Sequence, residues 1–470
     1  MKKSFPLPDY LPDQTPNSGT LEALENAYPI VKGFSPVREF ESISDAFAGQ
    51  FLGGTAVIAD DGTSYLLVGT TEGLFRYTSG SWTTLASGLT ITDQWRFAGF
   101  GNYVVAVNGS VTYEVDLSAG TANVLANAPV GKSVAVVDPY VVIGQDENDL
   151  ISVFTSDVND HTRWVPDAGA TQQPQLAGGE IMGLGGGEYG VILQRRRIVR
   201  QSKTGDATLP FEYDPITENV GCASKGSVVQ WGRSVFFLSD QGFMAFEDGQ
   251  ALVPIGTEKV DRTFQELVPA DDYERIFSAI DPVKKLVLWC VPGSPGFLFI
   301  YNYELQKWGR ARLDIEGVFS AFTSSETLEG VSAIYPDLDA MPVSLDDPVF
   351  SGGSPQLYIV QGSQVGALTG DTLEAMFEFG FIELTPGRRS RVRHVRPITD
   401  AVNTQTMEML VSDRQGDDPQ IKSGGPLRRS GRIPFRASGR YHRLKWMIGA
   451  GSNWSYAHGI EVEYENGDDR

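Results

Sequence analysis

Four histidines (His161, His394, His442, His458) and two cysteines (Cys222, Cys290) are the residues from which a metal centre or an activated nucleophile would be built. Metal ligands usually recur roughly two to five residues apart. None of these six has another histidine or cysteine at such a spacing, so no metal is expected. Gly183-Leu184-Gly185-Gly186-Gly187 has the glycine content of a phosphate loop but lacks its closing Lys-Ser/Thr and a surrounding β-α-β unit. Asp146-Glu147-Asn148-Asp149 groups oxygen ligands without an EF-hand pattern, and reads as a solvated turn or, as the lesser alternative, a cation cradle. No Gly-x-Ser-x-Gly elbow is present. Ser239-Asp240-Gln241-Gly242-Phe243 matches part of the Ser-x-Asp-x-Gly-x-Thr-Trp turn of propeller sialidases, but without the Thr-Trp. A glycosidase needs two carboxylates that meet in space, and 59 acidic residues do not discriminate among pairs. No catalytic residue and no cofactor are expected, and the chain reads as a non-enzyme.

The basic residues are more informative. The formal charge is −21, which argues against a general nucleic-acid binder held by phosphate contacts. Between Thr385 and Lys445, however, 14 Lys/Arg stand against 5 Asp/Glu, leaving 24 against 54 in the remainder. Arg388, Arg389, Arg391, Arg393 and Arg396 form one cluster, and Arg428, Arg429, Arg432, Arg436, Arg440 and Arg443 another. One reading is a solvated strand face. The other is a basic platform that meets the acidic surface of a neighbouring subunit or an adaptor. Nucleic-acid binding ranks third, because no stacking aromatics interleave these arginines. A further run, Arg195-Arg196-Arg197-Ile198-Val199-Arg200, is expected within a strand, with alternate arginines on opposite faces.

The elements that carry these residues are read from pattern. With 470 residues the chain is too long for a single core. From Gly54 to Gly370 one unit recurs: an apolar strand, a strand ending in an aromatic, a tight turn, and a third short strand. Examples begin at Tyr65, Tyr103, Ser234 and Leu286. The first two lie about 38 residues apart, near the four-strand spacing of propeller blades. The expected fold is therefore all-β: a β-propeller of about six or seven blades over 51–370, with a run of unrelated sandwich hairpins as the competitor. Residues 371–470 change character into some six alternating segments, expected as a small β-sandwich platform. Residues 1–50 read as an extended arm packing on the platform or a neighbouring subunit, or else as a loose terminus; Thr20–Ala27 is expected to make a short helical turn. Insertions are expected at Gln172–Gly187, Thr257–Tyr273 (with a helix over Glu258–Leu267) and Thr327–Pro355, the last an exposed loop. Two cysteines favour assembly in a reducing cytoplasm. Prolines at 6, 8 and 12 and Asp9 argue against a signal peptide, and no apolar run is long enough for a membrane span.

Three stretches carry a family resemblance. They are Leu11-Pro12-Asp13-Gln14 with Glu25-Asn26-Ala27-Tyr28-Pro29 and Gly33-Phe34-Ser35-Pro36; Phe154-Thr155-Ser156-Asp157 with Asn159-Asp160-His161-Thr162-Arg163-Trp164; and Arg428-Arg429-Ser430-Gly431-Arg432 with Gly439-Arg440-Tyr441-His442-Arg443-Leu444-Lys445. In these stretches the chain resembles the tail hub or nozzle proteins of short-tailed (podovirus-type) bacteriophages, the packaged-DNA stabilisation protein family. The resemblance implies a propeller with an added β platform, acting as a structural virion protein assembled in the host cytoplasm. It implies a homo-hexameric ring below the portal and a head-to-tail adaptor ring, attachment of tail fibres or a needle, and passage of genome DNA without sequence-specific binding during ejection. The alternative function is a tail-associated propeller that binds or depolymerises glycans; a bacterial scaffold unrelated to phage ranks below both.

Overall fold

Tyr103-Val104-Val105-Ala106-Val107 is β-branched and apolar, and as a strand it is buried on both faces, with Val104 to Val107 inaccessible. Such a strand needs a sheet against each side, which stacked blades supply. The computed structural model describes residues 1–15, 19–60, 62–78, 80–166, 169–206, 209–322, 355–402, 404–414 and 417–467. Within them the pattern resolves into seven antiparallel four-stranded blades. Six are separate sheets, and one is part of a ten-stranded sheet. Blades 1 to 6 span 51–87, 96–124, 133–174, 181–217, 229–254 and 277–315. Blade 7 combines Gly317–Phe322, Pro355–Gln361 and Gln364–Ala367 with an outermost strand, Glu41–Ser42, from the N-terminal region.

The apolar clusters between blades follow a ring. One joins blades 1 and 2 through Leu67, Leu74 and Trp95, and others join blades 2 and 3, 3 and 4, and 4 and 5. The largest joins blades 5 and 6, and another carries Phe277, Phe319 and Phe51 from blade 6 through blade 7 back to blade 1. The recurring units recognised in the sequence are the second, third and fourth strands of blades 1, 2, 5 and 6.

Several sequence expectations are corrected. Thr20–Ala27 is not helical: Leu21–Glu25 is a strand. Leu21 and Leu24 are both buried at a helix-like spacing of three because a β-bulge between Leu21 and Ala23 shifts the register by one residue. Gln172–Gly187 is no insertion; it holds the last strand of blade 3 (Thr171–Pro174) and the first of blade 4 (Ile181–Gly185). Thr257–Tyr273 does interrupt the repeat, with a helix, Asp261–Leu267, that buries Phe264, with Val260 buried just before it, but leaves Leu267 exposed. The expected Thr327–Pro355 loop lies, apart from the first residue of Pro355–Gln361, outside the described residues.

After blade 7 the chain forms two facing sheets. Ala375–Phe379, Tyr441–Ile448, Gln405–Ser412 and Gln420–Ser423 make one sheet with Leu21–Glu25, and Ile382–Glu383 adds to its Tyr441–Ile448 strand. Ser390–Thr399, Ile433–Gly439 and Ala457–Asn466 make the other, which Lys2–Pro6 and Gly33–Pro36 extend. Phe377 and Trp446 from one face and Val392, Val395, Ile433 and Val462 from the other fill the space between. The arm is thus woven into its own chain. Through Ala27–Ile30, which pairs with Lys307–Ile315, it makes the platform sheet continuous with blade 6.

Candidate functional site

The platform arginines sit where strand alternation puts them. Along Ser390–Thr399, Val392 and Val395 point into the core while Arg391, Arg393 and Arg396 are exposed; along Ile433–Gly439, Phe435 and Ala437 point in and Arg436 out. The neighbouring Ala457–Asn466 strand presents Glu461, Glu463 and Glu465 beside them, with Arg391 opposite Glu465 and Arg396 opposite Glu461. This face is therefore a charge ladder. Arg393 meets Glu465 at 2.6 Å, Arg432 meets Glu463 at 3.3 Å, and Lys2 meets Glu461 at 3.3 Å. Arg389 pairs with Asp413 and Arg440 with Glu383, at 3.3 and 3.2 Å. Arg443 belongs elsewhere, on the outer side of the opposite sheet, between Glu22 at 2.8 Å and Glu378 at 2.7 Å. Arg388 is exposed in a turn whose backbone N–H donates to Thr385. Arg391, Arg428, Arg429 and Arg436 are exposed, and among the described residues they enter no ion pair. The ten candidate residues thus do not share one face, and at least five of them, Arg389, Arg393, Arg432, Arg440 and Arg443, are neutralised within the chain.

Other singled-out motifs prove to be packing devices. A Cβ on Gly183 would lie 2.8 Å from Val228, and one on Gly186 only 2.1 Å from the Val136 carbonyl, so this glycine run lets the inner strands of blades 3, 4 and 5 approach. The Asp146 and Asp149 carboxylates accept local backbone N–H groups from Asn148, Ile151 and Ser152, as turn residues do, and Asp146 also accepts the Val130 N–H. His161 Nε2 meets Glu114 of blade 2 at 2.6 Å between the Tyr103 and Phe100 rings, tying blade 3 to blade 2. Arg195–Arg197 occupy a hairpin connection rather than a strand, which resumes only at Ile198. The sequence concealed that turn, because its three arginines carry no Gly, Pro, Asn or Asp signal. Cys222 and Cys290 are free and buried, and burial pushes the Cys222 thiol up to about 12. Among the described residues no group of three or more His, Cys, Asp or Glu is arranged to hold a metal.

One constellation had no sequence signal. Where the inner strands begin, Gln94 and Arg96 of blade 2 reach across the propeller axis. Gln94 Nε2 donates to the carbonyls of Ile276 (2.8 Å) and Glu274 (3.2 Å), ahead of blade 6. Arg96 Nη2 donates to the carbonyl of Lys225, ahead of blade 5, at 2.9 Å, and to Gln94 Oε1 at 2.8 Å. Blades 5 and 6 stand opposite blade 2 in a ring of seven, so these bonds plug the axis at this end. Above them lies a cavity of about 330 Å³ lined from blades 1, 2, 3, 5, 6 and 7.

No protein-family model matches the chain, and no curated protein matches it. Among solved structures, the extracellular domain of a putative hybrid two-component system from B. thetaiotaomicron aligns with 83% of this chain at 10% identity and a TM-score of 0.43. This chain spans 45% of that protein's length. The RRP9 WD40 repeats align over 62% of this chain and 90% of theirs, at 10% identity and a TM-score of 0.38. PorZ, a surface component of the type-IX secretion system of Porphyromonas gingivalis, aligns over 85% of this chain and 52% of its own, at 11% identity and a TM-score of 0.40. At these scores the likenesses carry no argument about function, and the propeller rests on its own strand pairing. No helix among the described residues is long and apolar enough to cross a membrane.

Proposed function

We propose that the chain is a structural subunit of a phage tail nozzle or hub, acting by assembly into a ring. The observation that carries this reading, beside the family resemblance, is the distribution of charge. The platform exposes Arg391, Arg428, Arg429 and Arg436 without carboxylate partners among the described residues, on a molecule whose remainder is strongly acidic. Such surfaces attract each other between subunits, or attract an acidic adaptor, and fix register more than they add affinity. The continuous sheet from blade 6 into the platform supports the same reading, because a ring subunit that transmits force needs its two parts to move as one. Bonds across the propeller axis at Gln94 and Arg96 argue that a genome conduit would run between subunits and not through a propeller.

Mass photometry of the purified chain, alone and mixed with the adaptor ring, tests this. A sixfold ring, or a monomer that becomes sixfold on the adaptor, is the expected result, and combining Arg391→Glu with Arg436→Glu abolishes it while leaving the monomer folded. A chain that remains monomeric or trimeric with the adaptor present overturns the reading in favour of a glycan-binding module.

A further inference from the structure

The plugged mouth of the propeller contains an electrostatic imbalance. Arg96 is half-buried there, and its two bonds go to neutral oxygens, the Lys225 carbonyl and Gln94 Oε1. Among the described residues no carboxylate lies within ion-pairing distance of it. Asp93, the nearest acid in sequence, is engaged with Lys132 at 2.8 Å. Glu316 also lines the cavity, but its carboxylate accepts the Ser363 N–H from both oxygens (3.3 and 3.2 Å), and Glu274 is exposed. Lys225 lines the same space without a carboxylate partner among the described residues. Desolvation lowers the Arg96 pKa to about 10, the direction expected when a cation is taken from water without a countercharge. Buried charges in folded proteins are ordinarily paired, since an isolated one carries a large solvation penalty.

The remaining walls mix apolar side chains, from Phe51, Leu52, Ile91, Phe277 and Pro292, with polar ones such as Gln50, Thr71 and Arg275, the last paired with Asp272 at 3.3 Å. A hollow that sets convergent polar groups beside apolar side chains can hold a small molecule, and about 330 Å³ is at the lower end of the usual size range. Guanidinium groups bind carboxylates and phosphates through short charge-assisted bonds. We propose that the closed mouth of the propeller binds a small oxyanion, a carboxylate or phosphate bearing a short apolar group, on Arg96 and Lys225. The site is independent of ring assembly and would operate in the monomer.

The test uses the full chain at constant ionic strength set with chloride. Benzoate binding is followed by saturation-transfer NMR, and inorganic phosphate binding by phosphorus line broadening. Saturable binding of at least one probe is expected, and which probe binds separates a carboxylate source from a phosphate source. Arg96→Gln, which retains a donor for the Lys225 carbonyl but no charge, weakens binding at least about tenfold. Thr92→Trp, at an exposed position on the rim, fills the mouth and does the same without touching Arg96. The proposal is overturned if neither probe saturates, or if Arg96→Gln binds as wild type does. Should Arg96→Gln fail to fold, unchanged binding by Thr92→Trp is equally decisive against it.

Discussion

At His442 the fold sets a titration that exposed histidines lack. The side chain is 2% exposed in the platform core, with Nε2 3.3 Å from the Ser390 carbonyl, and burial lowers its pKa to about 4. The unfolded chain therefore takes up this proton first as pH falls. Stability contributed by neutral His442 is full above about 6.5 and is lost between there and about 4, on the order of 3 kcal/mol in all. Asp261 has the opposite sign. Buried beside Phe243, whose N–H donates to Oδ1 at 2.9 Å, it has its pKa raised by burial to about 6. Its contribution is present at low pH and is lost as pH rises from about 4 to about 6. The two partly cancel in the wild-type chain. Denaturant titrations from pH 4 to 7 accordingly show a steeper loss of stability on acidification in Asp261→Asn, and a gain of stability on acidification in His442→Gln. Parallel profiles for the two variants would contradict these assignments.

At the level of elements, the decisive piece is the short strand Glu41–Ser42 that completes blade 7. Its pairing with Gly366 and Ala367 is extended by Ile43 N–H to the Val365 carbonyl (2.9 Å), Phe47 N–H to the Ser363 carbonyl (2.9 Å) and Val365 N–H to Ser44 Oγ (3.0 Å). Tyr77 and Trp82 of blade 1 donate to the Ile43 and Asp45 carbonyls, so the clasp holds the first blade to the last. Closure by this two-residue outermost strand covers the edge of Gln364–Ala367 and leaves only a short edge in that blade. A Cβ on Gly366 would stand 2.2 Å from the Glu41 carbonyl. Gly366→Ala thus prises this strand away, with an expected loss of about 1–3 kcal/mol of stability and new proteolytic cleavage between residues 38 and 50. Wild-type resistance and midpoint in that variant would show that the clasp is dispensable.

For the whole molecule, propeller and platform share both a sheet and a core. The ten-stranded sheet passes from blade 6 through Ala27–Ile30 and Gly33–Pro36 to Ala457–Asn466. The largest apolar cluster contains Phe243, Trp289 and Trp308 of the propeller together with Phe377, Trp446 and Val462 of the platform. Inter-domain surfaces are usually smaller and more polar than this, and then let domains unfold separately. Here a single calorimetric transition is expected for both parts, with the tryptophan fluorescence and the far-ultraviolet signal of the strands lost together. Two resolved transitions would mean that the shared sheet does not couple them.

How much of this was legible beforehand follows from what is local. Apolar strands of five or six residues separated by turns announce blades, because the side-chain period of two and the turn chemistry are properties of neighbouring residues. The alternation of arginines with Val392, Val395, Phe435 and Ala437 announced a platform face in the same way. Features decided by contacts between distant residues were hidden. Leu21 and Leu24 have a helix-like spacing that only a bulge opposite residues 376–379 turns into a strand. Glu41–Ser42 has no strand pattern of its own, being two exposed residues held by a partner more than 300 positions away. The glutamates that neutralise part of the arginine face lie on Ala457–Asn466, and only strand order puts them alongside. Arg96 is an unremarkable residue in Trp95-Arg96-Phe97 until ring closure brings Lys225 and Ile276 across the axis to meet it and Gln94. Composition and period determined the class of fold. Which charges were compensated, and which one was left facing a cavity, depended on the closing of the ring, because electrostatic pairing is set by distances in space.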